Sequence, residues 1–169
     1  FTVSRSTTID APTAVIHPLV STLNTWPEWT TWNTTNYPEL TYSYEGPEAG
    51  VGAVQTWTDP GMGSGRLEVT KSSEESGIEF VLQFEGFEHP LVGSITYESA
   101  GEQATRVTWT GNGNMGGNPI ARYFGLMMDS MIGADYATGL ANLKELVESQ
   151  SETGSPDVET TGDADTVNE

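Results

Sequence analysis

Hydrophobic and polar residues alternate along most of this chain, and only one long stretch shows helical periodicity. Residues 1–9 alternate and are rich in β-branched side chains, which predicts a first strand. Six further strands are predicted at residues 40–45, 52–58, 65–72, 78–87, 91–98 and 104–111. Short turns containing Gly, Pro or Glu separate them, which favours consecutive antiparallel pairing over β-α-β units.

A short helical region is predicted between the first two strands. Residues 13–23 favour a helix that places Val15, Leu19 and Leu23 on one stripe, and Pro18 is expected to break or kink it. Three tryptophans follow at a spacing of three, Trp26, Trp29 and Trp32. In a helical or 3₁₀ turn, this spacing puts all three rings on one side.

The long helical pattern runs from Pro119 to about Ser149, with apolar residues at spacings of three and four. At 1.5 Å per residue, such a helix is about 45 Å long. Gly133 lies in its middle, which indicates a kink or the close approach of another segment. An antiparallel sheet must cover one face, and this helix offers a large apolar stripe for it.

The order of elements predicts an α+β architecture over residues 1–149. A curved seven-stranded antiparallel sheet wraps around the long C-terminal helix, and two short helices follow the first strand. A gap between the sheet and the helix would be the functional site. Residues 150–169 are polar and acidic and lack aromatic side chains, so they are predicted to form a disordered tail.

Charge and composition exclude several functions. The chain has 24 acidic and 6 basic residues, a formal net charge of -18. Nucleic acid and anionic membrane surfaces are therefore not expected as partners, because both require a basic surface. The absence of cysteine excludes disulfides and thiolate chemistry. Because the two histidines also lack a paired spacing, we expect no metal site, and no cofactor motif is present.

The location of the protein is a separate prediction. No apolar run approaches the ~20 residues of a membrane-spanning helix. The chain starts at Phe1 without a methionine, so we expect export or membrane tethering through a segment upstream of Phe1, with a cytoplasmic location as the alternative.

Four stretches of the chain together resemble a known family, at residues 4–12, 26–29, 50–57 with 63–65, and 118–125 with 139–144. They are similar to the first strand and turn, the short-helix Trp motif, the third and fourth strands, and the final helix of START-like (SRPBCC) proteins. The similarity is to the polyketide cyclase/dehydrase and lipid-transport branch. The resemblance implies a helix-grip fold with a cavity for an apolar or amphipathic molecule. It does not imply one chemistry, because the superfamily includes cyclases, lipid carriers and ligand sensors.

Candidate ligand-binding residues follow from the periodicity. Alternation along the predicted strands places one set of apolar side chains on the concave face, and methionines suit adaptable apolar pockets. The predicted ligand-binding set is Trp57, Phe80, Leu82, Phe84, Ile95, Tyr97, Trp109, Phe124, Met127, Met128 and Met131. The alternative for each is ordinary core packing. Trp26, Trp29 and Trp32 are assigned to the cavity mouth, either as a gate or, as we favour, as a plug.

Catalytic candidates are few. Asp135 interrupts the apolar helix and could act as a general base, although capping a kink or pairing with an arginine is the favoured role. Arg66 is expected to face solvent and pair with a neighbouring glutamate. No serine-nucleophile motif is present.

Three functions therefore remain open. The leading hypothesis is a carrier or sensor that binds a lipid, isoprenoid or polyketide-like molecule. The second is a cyclase, dehydratase or hydrolase that uses Asp135 or a tyrosine in the cavity. The third is a structural or assembly role with a filled interior. The sequence does not identify a protein partner.

Overall fold

A computed structural model describes residues 1–114 and 119–152, without the side chains of residues 119–126 and 128. Its strands are β1 Thr2–Ile9, β2 Thr41–Glu45, β3 Val54–Asp59, β4 Gly63–Ser73, β5 Gly77–Phe84, β6 Leu91–Gly101 and β7 Ala104–Asn112. Its helices are α1 Thr13–Ser21, a 3₁₀ helix at Leu23–Glu28, and α2 Pro119–Glu152. The seven predicted strands and the long helix are confirmed, with shifted ends. Most of the predicted tail, residues 153–169, lies outside the described residues.

The strands form one curved antiparallel sheet in the order β1-β7-β6-β5-β4-β3-β2. Strands β2 to β7 pair consecutively, as the short turns predict, and β1 joins the sheet beside β7. Register shifts interrupt β4 between Val69 and Lys71 and β6 between Ser99 and Gly101. Such bulges bend and twist a strand, which contributes to the curvature.

The first helix packs on the sheet through a stripe that only partly matches the predicted one. Leu23 is buried and Leu19 is half-buried against the core, as predicted. Val15 is 36% exposed, whereas Ile16 and Val20 are fully buried on the helix that contacts β4 and β5. Pro18 lies inside α1 without ending it, so the predicted break is wrong.

The C-terminal half of α2 completes the core. Leu140, Leu143 and Val147 are buried, and the helix contacts β1 and β7. Across residues 1–114 and 119–152, no helix is both long enough and apolar enough to cross a membrane.

Gly133 marks a close approach between α2 and β1, as predicted. A Cβ atom at Gly133 would lie 2.5 Å from Cζ of Arg5 and would overlap the guanidinium. Arg5 Nη1 donates to the Asp129 carboxylate at 3.4 Å, and Nη2 donates to the Asp129 carbonyl at 3.3 Å. The glycine thus leaves room for the Arg5 side chain on the surface of the helix.

Candidate functional site

A pocket of about 300 Å³ lies between the sheet, the segment of residues 26–32 that carries three tryptophans, and α2. Its lining is predominantly apolar and aromatic. The lining residues are Trp26, Thr30, Trp32, Tyr42, Gln55, Trp57, Met62, Leu67, Phe80, Leu82, Phe84, Trp109, Met131, Ile132 and Asp135. Strands β2 to β5 and β7 contribute one wall, and α2 contributes Met131, Ile132 and Asp135.

The sheet wall is built by side-chain alternation and by one glycine. Phe80, Leu82 and Phe84 lie on one face of β5 because successive strand residues point to opposite faces. Gly65 pairs with Trp57 on one side and with Phe84 on the other. A Cβ at Gly65 would lie 2.6 Å from Cη2 of Trp57, so the glycine leaves space for the indole. The Trp57 and Phe84 rings meet edge to face, with their centroids 5.3 Å apart.

The three tryptophans of the predicted mouth converge on Trp109. The ring centroids of Trp26, Trp29 and Trp32 lie 5.7, 5.4 and 5.7 Å from that of Trp109. Trp109 also stacks on Tyr136 at 4.2 Å. The predicted placement of the three rings on one side is therefore confirmed.

Hydrogen bonds hold two of these indoles in place. Nε1 of Trp26 donates to the Val20 carbonyl at 2.9 Å, and Nε1 of Trp29 donates to the Leu19 carbonyl at 3.3 Å. Trp29 is fully buried, whereas Trp26 and Trp32 also line the pocket. A gating or plugging role for the three tryptophans remains a prediction.

The predicted ligand-binding residues fall into three groups. Those that line the pocket are Trp57, Phe80, Leu82, Phe84, Trp109 and Met131. Ile95 and Tyr97 are buried in the core and are not among the lining residues of this pocket, and Met127 is 47% exposed. The side chains of Phe124 and Met128 lie outside the described residues.

Some lining residues were not assigned from the sequence. Gln55 and Leu67 lie on the pocket face of β3 and β4, and Ile132 lies beside Met131 on α2. Gln55 shares a face with Trp57 by the period of two, which is the signal that would identify it. Its polar side chain is nevertheless only 4% exposed.

The pocket contains isolated polar groups within its apolar lining. Tyr42 Oη donates to the Trp32 carbonyl at 2.7 Å, and burial raises the pKa of this phenol, so Tyr42 stays neutral. The indole N–H groups of Trp57 and Trp109 are buried and have no hydrogen-bond acceptor among the described residues.

Asp135 is half-buried and is the one formally charged side chain among the described lining residues. The arginines whose side chains are described have partners elsewhere. Arg5 pairs with Asp129, and Arg66 pairs with Glu68 at 2.6 Å on the exposed surface, as predicted for Arg66. Arg106 donates to Ser6 Oγ at 3.1 Å. The geometry thus places a carboxylate against an apolar pocket without an ion-pair partner among the described residues. It does not bring a second acidic or basic side chain into the described lining.

A second polar cluster lies apart from this pocket. The Nδ1 atom of His17 is 3.0 Å from Tyr97 Oη, and its Nε2 atom is 3.1 Å from Ser72 Oγ. Burial lowers the pKa of His17, against an opposing effect of Glu74, and burial raises the pKa of Tyr97. This cluster joins α1 to β4 and β6. In the part of the chain that the structure describes, no group of three or more His, Asp or Glu side chains could hold a metal ion.

The sequence matches one family model over most of its length. Residues 1–148 match the model described as polyketide cyclase / dehydrase and lipid transport. No curated protein matches the chain.

Solved structures with low sequence identity share the fold. A solution structure of a protein from Thermobifida fusca has a TM-score of 0.67 at 17% identity, covering 88% of this chain and 93% of that one. A crystal structure of a protein from Thermus thermophilus has a TM-score of 0.66 at 18% identity, covering 89% of this chain and 99% of that one. The di-domain ARO/CYC BexL of the BE-7585A biosynthetic pathway has a TM-score of 0.61 at 15% identity, covering 88% of this chain and 46% of that one.

Proposed function

The chain belongs to the polyketide cyclase/dehydrase and lipid-transport family, and on that premise we propose that it binds a hydrophobic or amphipathic small molecule. The molecule would occupy the pocket between the sheet and α2. The protein would act as a carrier or a sensor. Either role requires only that the ligand binds, without a reacting group from the protein.

The observation that carries this proposal is the composition of the pocket wall. Nearly all lining side chains are apolar or aromatic, in a volume of about 300 Å³. Small-molecule sites are typically apolar pockets of roughly 300–1,000 Å³ with a few polar groups that set orientation. A ligand that buries ~200 Å² of apolar surface would gain about 5 kcal/mol from the hydrophobic effect alone.

The proposal can be tested by filling the pocket. Leu82 lines the pocket, whereas its neighbour Val81 pairs with the exposed Val92 on the opposite face of the sheet. We therefore expect Leu82→Trp to abolish the binding of Nile red, a neutral apolar probe, and Val81→Trp to leave it intact.

Both variants must first show wild-type circular dichroism. Equal loss of probe binding in both variants, or no loss in either, would contradict binding in this pocket. Wild-type protein that takes up no probe would favour a structural role with a filled interior.

A second candidate function is acid–base catalysis, favoured by the carboxylate of Asp135 on the apolar wall. A carboxylate in such a site could remove a proton from a bound carbonyl compound. If so, a ligand extracted from wild-type protein would be lighter by one water than one extracted from the Asp135→Asn variant where a hydroxyl is eliminated. After ring closure without loss of water it would have the same mass but a different chromatographic retention time. Identical masses and identical retention times would favour the carrier or sensor.

A further inference from the structure

We infer that this pocket takes uncharged amphiphiles that carry an oxygen acceptor, and that it discriminates against carboxylates of the same chain length. The inference rests on the proposed function and specifies its ligand class. It follows from the negative charge on the pocket wall and from the uncharged polar groups beside it.

The charge on the described lining is negative. Asp135 contributes a carboxylate, and no lysine, arginine or histidine is among the described lining residues. Arg5 contacts the same helix but is engaged by Asp129 and lies over Gly133. The net charge of -18 on the whole chain makes the electrostatic potential at the pocket more negative.

A carboxylate headgroup would meet two penalties in this pocket. It would leave water for a mostly apolar wall, where burying an unpaired charge is costly. It would also approach the Asp135 carboxylate, and like charges repel more strongly where the effective dielectric constant is low. An uncharged hydroxyl or carbonyl headgroup avoids both penalties.

The wall offers hydrogen-bond donors to an uncharged oxygen. Thr30 and Gln55 lie on it, and a hydroxyl and an amide can both donate. The indole N–H groups of Trp57 and Trp109 have no acceptor among the described residues, but both nitrogens have almost no accessible surface. A ligand oxygen therefore reaches them only if the ring shifts, in which case it would recover a lost hydrogen bond.

The test compares two ligands that differ in headgroup charge. Decan-1-ol and decanoic acid have the same chain length, and the acid is ionised at pH 7.5. In competition with Nile red, we expect the alcohol to bind at least about tenfold more tightly than the acid, a ratio that corresponds to about 1.4 kcal/mol.

Asp135→Asn should narrow this ratio chiefly by strengthening the binding of decanoic acid, because the like charge on the wall is removed. The control is Glu145→Gln, which removes the same charge from an exposed position of α2 outside the lining. It should leave the ratio unchanged.

The outcomes separate this inference from the proposed function. If the wild-type protein binds no Nile red, the proposed function fails. If it binds Nile red that neither decan-1-ol nor decanoic acid displaces, the inferred ligand class is overturned while ligand binding stands. If decanoic acid binds as tightly as decan-1-ol, the charge discrimination is overturned while ligand binding stands. If Asp135→Asn and Glu145→Gln change the ratio of the two affinities equally, Asp135 is not the source of the charge discrimination.

Discussion

Two glycines in α2 provide a matched pair of substitutions with different expected effects. At Gly133, a Cβ would displace the guanidinium of Arg5, the end of a flexible and partly exposed side chain. At Gly139, a Cβ would lie 3.1 Å from Cζ3 of Trp109, with the Trp29 carbonyl oxygen at 3.7 Å. Trp109 is almost fully buried among other aromatic rings, so it has little room to move.

The expected free energies follow from these contacts. Replacing a glycine inside a helix by alanine gains about 1 kcal/mol of helix propensity. At position 133 this gain is offset only by an exposed ion pair, generally about 0–1 kcal/mol, so Gly133→Ala should be neutral or slightly stabilising. At position 139 overpacking costs typically about 1–3 kcal/mol, so Gly139→Ala should be neutral to about 2 kcal/mol destabilising.

Urea unfolding of both variants measures the difference, which these ranges place between about 0 and 3 kcal/mol in favour of Gly133→Ala. In an Arg5→Ala background, Gly133→Ala should show the full gain of about 1 kcal/mol, because no guanidinium remains to be displaced. Gly139→Ala that is about 1 kcal/mol more stable than the wild type, the full gain in helix propensity with no packing cost, would refute the described packing of Trp109 against α2.

Three other predictions concern pH, a turn and the surface. Burial lowers the pKa of His17 from 6.5, so the unfolded chain binds the proton first. The free energy of unfolding should therefore fall as the pH drops from 6.5 towards that lowered pKa, and His17→Gln should lose this part of the pH dependence in urea titrations at pH 7.5 and 5.5. Asp59 is buried and accepts two backbone N–H groups in the β3–β4 turn at 2.8 and 2.7 Å; Asp59→Ala should cost about 1–3 kcal/mol in thermal unfolding, and Asp59→Asn less. Arg66 pairs with Glu68 on the surface, so Arg66→Ala should change stability by less than about 0.5 kcal/mol, and a loss above about 1 kcal/mol would contradict an exposed pair.

The sheet could be predicted because its strands carry an alternating apolar face. Phe80, Leu82 and Phe84 lie on the pocket side of β5, as their period of two requires. In α1 the same reasoning wrongly placed Val15 in the core, because apolar residues occupy neighbouring positions and two stripes compete. Burial of Ile16 and exposure of Val15 depend on contacts with β4 and β5, which a local pattern does not contain.

The pocket was less predictable than the fold. Ile95 and Trp109 are cross-strand partners and are both buried, yet only Trp109 is among the pocket-lining residues. Whether a concave residue lines a pocket or fills the core depends on which side chains cover it from the helices. For Gln55, the period of two places the side chain on the same face as Trp57, but its burial depends on tertiary neighbours that the local pattern does not contain.

The most direct test of ligand binding is native mass spectrometry of the protein purified under non-denaturing conditions, followed by organic extraction. We expect wild-type ions to include a population heavier by the mass of an extractable apolar molecule, and Leu82→Trp ions to lack it. The same bound mass in both proteins, or an unliganded wild-type protein that also takes up no added amphiphile, would contradict a ligand site between the sheet and α2.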